Sequence, residues 1–386
     1  MTGTAQRILA HLRARTEEMA ALLLDLARLE SPSLDAASQE PVFARLAAEL
    51  EAVGFRVRRL PGRRTGGQLW AVPRARRHGA PAQLLLGHCD TVWSTGTVER
   101  MPVAVTDGRL TGPGVYDMKG GLVQGVFALR ALRDLGLTLE VTPAVFIDSD
   151  EEIGSLESIP RLERAARRMC RVFVLEPSLG PEGKLKTRRK GSLRFTIRIQ
   201  GRAAHSGLDP EKGASAILEL SRVIQRLYEL AAPERGITVN VGVVSGGLRA
   251  NVVAPEARAE VDIRVLATAD ALRLERMVLD LAPLTPGTTL EVLGGIDRPP
   301  LEATPGNRIL WEAARRCAED LGIPLAEGTA GGASDGSLTS RFVPTLDGLG
   351  ALGDGAHALH EHVLVDRMPE RAALLALLLL EPIGGP

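Results

Sequence analysis

A chain of 386 residues, 45% of them hydrophobic, has enough apolar material for a large buried core in one or two domains. Lys plus Arg and Asp plus Glu each total 47, so no charge surplus exists to hold nucleic acid or an anionic membrane, and specificity has to come from a local site. Cys89, Cys170 and Cys317 are an odd set without paired spacing, which argues against a disulfide framework and for a reducing compartment, the cytoplasm.

Apolar residues recur at helical spacing over residues 4–28, with no compact apolar core of a signal peptide. Ser31-Pro32-Ser33 then predicts a turn, 41–53 a second helix, and 54–58 an exposed strand. Residues 83–86 and 141–147 are short apolar runs of the kind buried on both faces of a sheet, and the helix predicted over 120–135 falls between them. This is an α/β reading.

The texture changes after the charged stretch 184–190. Strands are predicted at 192–200, 238–244 and 257–265, and helices at 214–230 and 269–281. The β-α-β-β-α-β order fits a ferredoxin-like α+β insertion. The first texture resumes after Pro299-Pro300, so 1–187 and 298–386 are expected to form one discontinuous domain around an inserted domain at 188–297. The apolar run 372–380 is too short to cross a bilayer.

Five segments carry chemistry. In Gly87-His88-Cys89-Asp90-Thr91, which follows a buried strand, His88 and Asp90 share a face of the extended chain and Cys89 points the other way. An imidazole can ligate zinc through one nitrogen while a carboxylate holds the other, and Asp90 is placed to do this for His88. The glycines of Gly112-Pro113-Gly114-Val115-Tyr116-Asp117-Met118-Lys119-Gly120-Gly121 point to an unusual turn presenting Asp117. This segment lacks the spacing of a phosphate-binding loop.

The acidic run Asp148-Ser149-Asp150-Glu151-Glu152 also follows a buried run, and its adjacent carboxylates diverge, so one can bind metal while its neighbour reaches a water. Leu175-Glu176-Pro177 ends another buried strand. Gly355-Ala356-His357-Ala358-Leu359-His360-Glu361-His362 offers three histidines. Oxygen and nitrogen donors without thiolates, gathered where open α/β sheets place their sites, suit a catalytic zinc centre. Two rivals are a non-catalytic binding protein on the same fold and a serine hydrolase with an elbow at 242–246, although the glycine spacing there is off by one residue.

Together the five segments resemble the metallopeptidase family that includes bacterial glutamate carboxypeptidase, acetylornithine deacetylase, succinyl-diaminopimelate desuccinylase and aminoacylase, with the wording closest to glutamate carboxypeptidase. The resemblance runs from about residue 80 to about residue 370. It implies a catalytic domain with a mixed sheet flanked by helices, an inserted dimerisation or lid domain, and two Zn2+ per subunit, for which Co2+ or Mn2+ can substitute. At the matching positions it implies that Asp117 bridges the metals, that His88 and Glu176 complete one site and Glu152 and His357 the other, and that Glu151 is the general base. His360 and His362 remain alternatives to His357. A cis peptide is implied at Asp117-Met118.

In the insertion, His205 matches a histidine that reaches the partner subunit's active site and stabilises the oxyanion, which implies a homodimer. Asn251, Arg264 and Arg298 match positions near the substrate, and an Arg is suited to gripping a carboxylate through two hydrogen bonds. The implied activity is hydrolysis of an amide bond in an N-acyl amino acid or short peptide. An acyl-amino-acid deacylase or a dipeptidase would use the same chemistry.

Overall fold

The computed structural model describes residues 2–76 and 79–383. The chain divides into two compact units, one comprising Met1–Thr187, Ala303–Ala330 and Ser334–Pro386, the other Arg188–Glu302 and Gly331–Ala333.

The first unit is built on a six-stranded mixed sheet in the order Phe55–Leu60, Gln68–Pro73, Thr142–Asp148, Ala82–His88, Arg171–Val174, Thr345–Leu346. Its last four strands run parallel, in a register that sets His88 opposite Asp148 and Leu86 opposite Val174. Their carboxyl ends therefore lie along one edge, and the chain leaves that edge directly into Asp90, Glu151-Glu152 and Glu176. The strand Ala82–His88 is buried on both faces, as its unbroken apolar run requires.

Helix Gly120–Asp134 packs on this sheet with almost every residue buried. The apolar run near the C-terminus is a core helix, Met368–Leu380, in which Ala372 to Leu379 are all inaccessible to solvent. A helix apolar on every side belongs in such a place. Truncating one of its leucines to Ala should cost about 2–5 kcal/mol.

Two helix boundaries differ from expectation. The first predicted helix is two, Thr2–Arg13 and Thr16–Arg28, because the Thr16 hydroxyl caps the Arg13 carbonyl at 2.8 Å and Arg15 N–H bonds the Leu12 carbonyl, tightening the turn. The second begins at Ala36, not Pro41: Asp35 caps it by accepting from Ala37 and Ser38 N–H at 3.1 Å each, and Pro41 is carried inside. The strand Gln68–Pro73 had no expectation attached to it.

A small antiparallel sheet in the same unit joins Ala104–Thr106, Arg109–Thr111, His362–Leu364 and Gly353–Asp354. It pairs His362 with Thr111, so the loop bearing the three histidines is brought beside the glycine-rich Asp117 loop.

The second unit has strand Gly191–Gln200, helix Ala216–Tyr228, strands Thr238–Gly246 and Glu256–Val265, helix Thr268–Leu279 and strand Thr289–Arg298. The sheet is antiparallel throughout, with Glu256–Val265 and Gly191–Gln200 central and Thr238–Gly246 and Thr289–Arg298 at the edges. This is the ferredoxin-like arrangement that the element order predicts. Ser245 lies within the edge strand Thr238–Gly246, opposite Arg258, and not on a strand-to-helix elbow, which removes the serine-hydrolase reading.

Candidate active site

The centre of the site is His88, 2% exposed at the end of its strand. Its Nδ1 lies 3.3 Å from Asp90 Oδ1, while Nε2 faces Asp117 Oδ1 at 3.3 Å and Glu176 Oε1 at 3.4 Å. Asp90 is itself fixed, accepting from the Ser33 hydroxyl at 2.7 Å and from the N–H groups of Glu151 (3.3 Å) and Glu152 (3.2 Å). The same carboxylate thus orients the imidazole and the start of the acidic loop. Cys89 points into the core, fully buried, and burial pushes its thiol far up.

Asp117 Oδ2 faces a second histidine, His357, at 3.7 Å, and His357 Nε2 is 3.1 Å from Glu152 Oε2. His357 is the residue of the three that reaches this cluster; the His362 ring turns instead to the His360 carbonyl at 3.0 Å. His357 has φ 61, a conformation seldom adopted without glycine and tolerated where function over-determines it. The Asp117-Met118 peptide is cis.

The electrostatics are those of a site short of positive charge. Burial pulls His88 down, yet the carboxylates of Asp117, Asp90 and Glu176 lift it well above an ordinary imidazole. The ion pair with Glu152 raises His357 to about 9, and burial raises Glu152 to about 7. His88 Nε2, Asp117 Oδ1 and Glu152 Oε1 are buried without an adequate hydrogen bond. Donor atoms of His88, Glu151 and Glu176 lie within 4.8 Å of one another, and so do those of His88, Asp117 and Glu152. Unsatisfied imidazole and carboxylate atoms converging at this spacing fit a metal ion.

Two residues near the site, Glu361 and Lys186, escaped the sequence reading, whereas the glycine-rich segment 328–337 with Asp335 is expected from the sequence to border the pocket. Glu361, 1% exposed, accepts from the N–H groups of Gly114 (2.9 Å), Tyr116 (2.9 Å) and Asp117 (3.0 Å) and from Trp93 Nε1 (2.9 Å). It holds the loop that presents Asp117. That loop needs glycine: Gly114 has φ 74, and a Cβ on Gly121 would lie 1.9 Å from the Leu175 carbonyl oxygen. Lys186, read only as part of a charged boundary, places Nζ 3.7 Å from Glu176 Oε2. Asp335 accepts from the Ser155 hydroxyl at 2.5 Å and faces Asp148, whose carboxyl is pushed well up by burial and by Asp335.

Within the second unit, His205 and Asn251 share an exposed loop pair, Ser206 N–H bonding the Asn251 carbonyl at 3.1 Å. Arg264 is engaged through both sides of its fork by Asp262, at 2.7 and 2.9 Å. Arg298 is 7% exposed at the end of its strand.

The profile of Peptidase family M20/M25/M40 matches residues 84–381. The chain belongs to that family. It is 26% identical over 383 residues to carboxypeptidase G2 from Pseudomonas sp. (strain RS-16), covering 97% of this chain and 92% of the relative. Among solved structures it resembles aminopeptidase PepT from Bacillus cereus, with TM-score 0.78, 22% identity and coverage of 94% and 98% of the two chains. It also resembles the Bacillus subtilis YXEP protein, described as a dinuclear metal binding peptidase of the M20 family, with TM-score 0.71, 14% identity and coverage of 96% and 98%. The M20 chain is accordingly an enzyme of a metallopeptidase family, with a candidate metal cluster of His, Asp and Glu side chains. Among its described residues no helix is long and apolar enough to cross a membrane.

Proposed function

We propose that this M20 chain is a two-zinc amidohydrolase that cuts the amide bond next to a free carboxylate, releasing glutamate or a similar amino acid from an N-acyl amino acid or short peptide. The observation that carries the reading is Asp117, whose two oxygens face different histidines, His88 at 3.3 Å and His357 at 3.7 Å. In this reading two Zn2+ would be held by these residues, His88 and Glu176 serving one, Glu152 and His357 the other, and Asp117 both. Co2+ or Mn2+ would serve the same donors.

When bound, the metal ions supply an acidified water and a Lewis acid for the scissile carbonyl. Glu151 takes the proton released as the carbonyl is attacked and returns it to the leaving nitrogen. Its backbone N–H is held by Asp90, so the strand end that orients His88 also aims the base. His205, contributed by a partner subunit, stabilises the oxyanion. Asn251 and Arg298 bind the substrate carboxylate. Arg264 is the weakest member of that group, because Asp262 already occupies its fork.

A homodimer is the expected assembly. The edge strand Thr238–Gly246 leaves Val243 and Val244 exposed, with Leu248 just beyond it and Ile217 and Leu218 on the neighbouring helix. An apolar strip on an unpaired sheet edge invites a second copy. Three free cysteines agree with a cytoplasmic location.

The test is amine release from a panel of N-acyl amino acids and dipeptides, with zinc-loaded and chelator-stripped protein. Zinc-dependent release from acyl-glutamates is the expected result. Release from other acyl-amino acids or dipeptides would move the assignment to a deacylase or dipeptidase, and no turnover by the loaded protein would support the binding-protein alternative. Glu151→Gln should retain zinc and lose turnover; substantial activity in that variant would remove Glu151 from its role.

A further inference from the structure

The two carboxylate oxygens of Glu176 face opposite ways. Oε1 is 3.4 Å from His88 Nε2, on the side where the unsatisfied donors converge, and Oε2 is 3.7 Å from Lys186 Nζ. Both side chains are nearly inaccessible, 9% exposed for Lys186 and 8% for Glu176, so water screens the pair little. The lysine is held in place. Its N–H bonds the Asp347 carbonyl at 2.9 Å, and Gly348 leaves space for its stem, since a Cβ there would lie 3.1 Å from Lys186 Cγ.

A fixed cation on the far side of a metal-binding carboxylate has three effects. It occupies the oxygen that would otherwise turn toward the metal, and it draws electron density away from the one that does. It also repels the incoming divalent ion directly. The other half of the cluster, Glu152 with His357, has a histidine on its carboxylate and, among the described residues, no lysine in the ion pairs of either residue.

On the two-metal reading above, we propose that Lys186 is a positioning residue that holds Glu176 as a one-oxygen ligand and makes the two metal sites unequal, the His88/Glu176 site binding zinc more weakly than the Glu152/His357 site. An easily vacated site beside a firmly held one would let zinc supply set the fraction of active enzyme.

Zinc titration of the metal-stripped full chain, competed against a chromophoric chelator, tests this without reference to turnover. Wild-type protein should take up two equivalents in two resolved steps. Lys186→Gln removes the charge and should tighten the weaker step by about 10- to 100-fold, the range over which partners of metal ligands act, while leaving the stronger step within about threefold. Lys186→Arg should behave as wild type. Should the Gln variant fold poorly, Lys186→Ser carries the same prediction and leaves room for water. Two equivalents bound with the weaker constant unchanged, or weakened, in the charge-removing variants overturns the proposal alone. Fewer than two equivalents in wild-type protein overturns the two-metal reading and this proposal with it.

Discussion

Replacing Glu361 by Gln perturbs the site without touching any candidate ligand. Oε1 accepts from Tyr116 and Asp117 N–H, and Oε2 from Gly114 N–H and Trp93 Nε1, all between 2.9 and 3.0 Å. In Gln one oxygen becomes an NH2, so whichever way the amide turns, two of the four donors face another donor. A hydrogen bond to a charged acceptor contributes about 1.5–3 kcal/mol, so losing two should cost roughly 3–6 kcal/mol. That is a large share of the roughly 5–15 kcal/mol by which folded domains are stable. Urea unfolding of metal-stripped protein measures the loss directly, and Trp93→Phe, which deletes a single donor, should cost only about 1–3 kcal/mol. Because either orientation frees at least one N–H of the loop that presents Asp117, Gly114 in one and Tyr116 with Asp117 in the other, Glu361→Gln should also weaken zinc binding by about 10- to 100-fold. A Gln variant destabilised by less than about 1 kcal/mol, with unaltered zinc affinity, would refute the claim that Glu361 holds the Asp117 loop.

Two further outcomes follow from the same geometry. Asp148 is fully buried against Asp335, with Asp150 and Asp90 also raising its carboxyl, so folding favours its protonated form. The stability this adds is complete below the ordinary carboxylate range and is lost as pH rises through the raised folded-state value. Asp148→Asn cannot ionise, so its stability relative to wild type should climb by about 1.4 kcal/mol per pH unit across that window; urea midpoints from acid to alkaline pH test this, and a gap constant with pH would refute it. His357→Ala should lower zinc uptake from two equivalents to one, while His360→Ala and His362→Ala keep two; a loss of stoichiometry in either of the latter would move the ligand.

Much of the candidate site was legible in the sequence because His88, Asp90, Glu151, Glu152 and Glu176 follow the ends of buried strands. An apolar run that stops in a histidine or a carboxylate is a conspicuous pattern, and the parallel register carries His88, the Glu151-Glu152 loop and Glu176 to one edge. The β-α-β-β-α-β insertion was legible for a similar reason, since strict alternation marks half-buried strands. What stayed hidden depends on contacts distant in sequence. Glu361 is one carboxylate in a histidine-rich segment, and its four donors lie more than 240 residues away along the chain. Lys186 looked like any other cation in a charged run, because nothing local distinguishes a buried lysine from a solvated one.

Arg264 shows the opposite case, in which the signal is local and a structural role on its strand is readable from the sequence. Asp262 and Arg264 are two apart on a strand, so they project from the same face of the sheet. A guanidinium next to a carboxylate at that spacing will close on it before any substrate arrives, and it does so through both sides of its fork. The same alternation rule that placed His88 beside Asp90 therefore accounts for Arg264, whose guanidinium is committed to its strand neighbour in the folded chain.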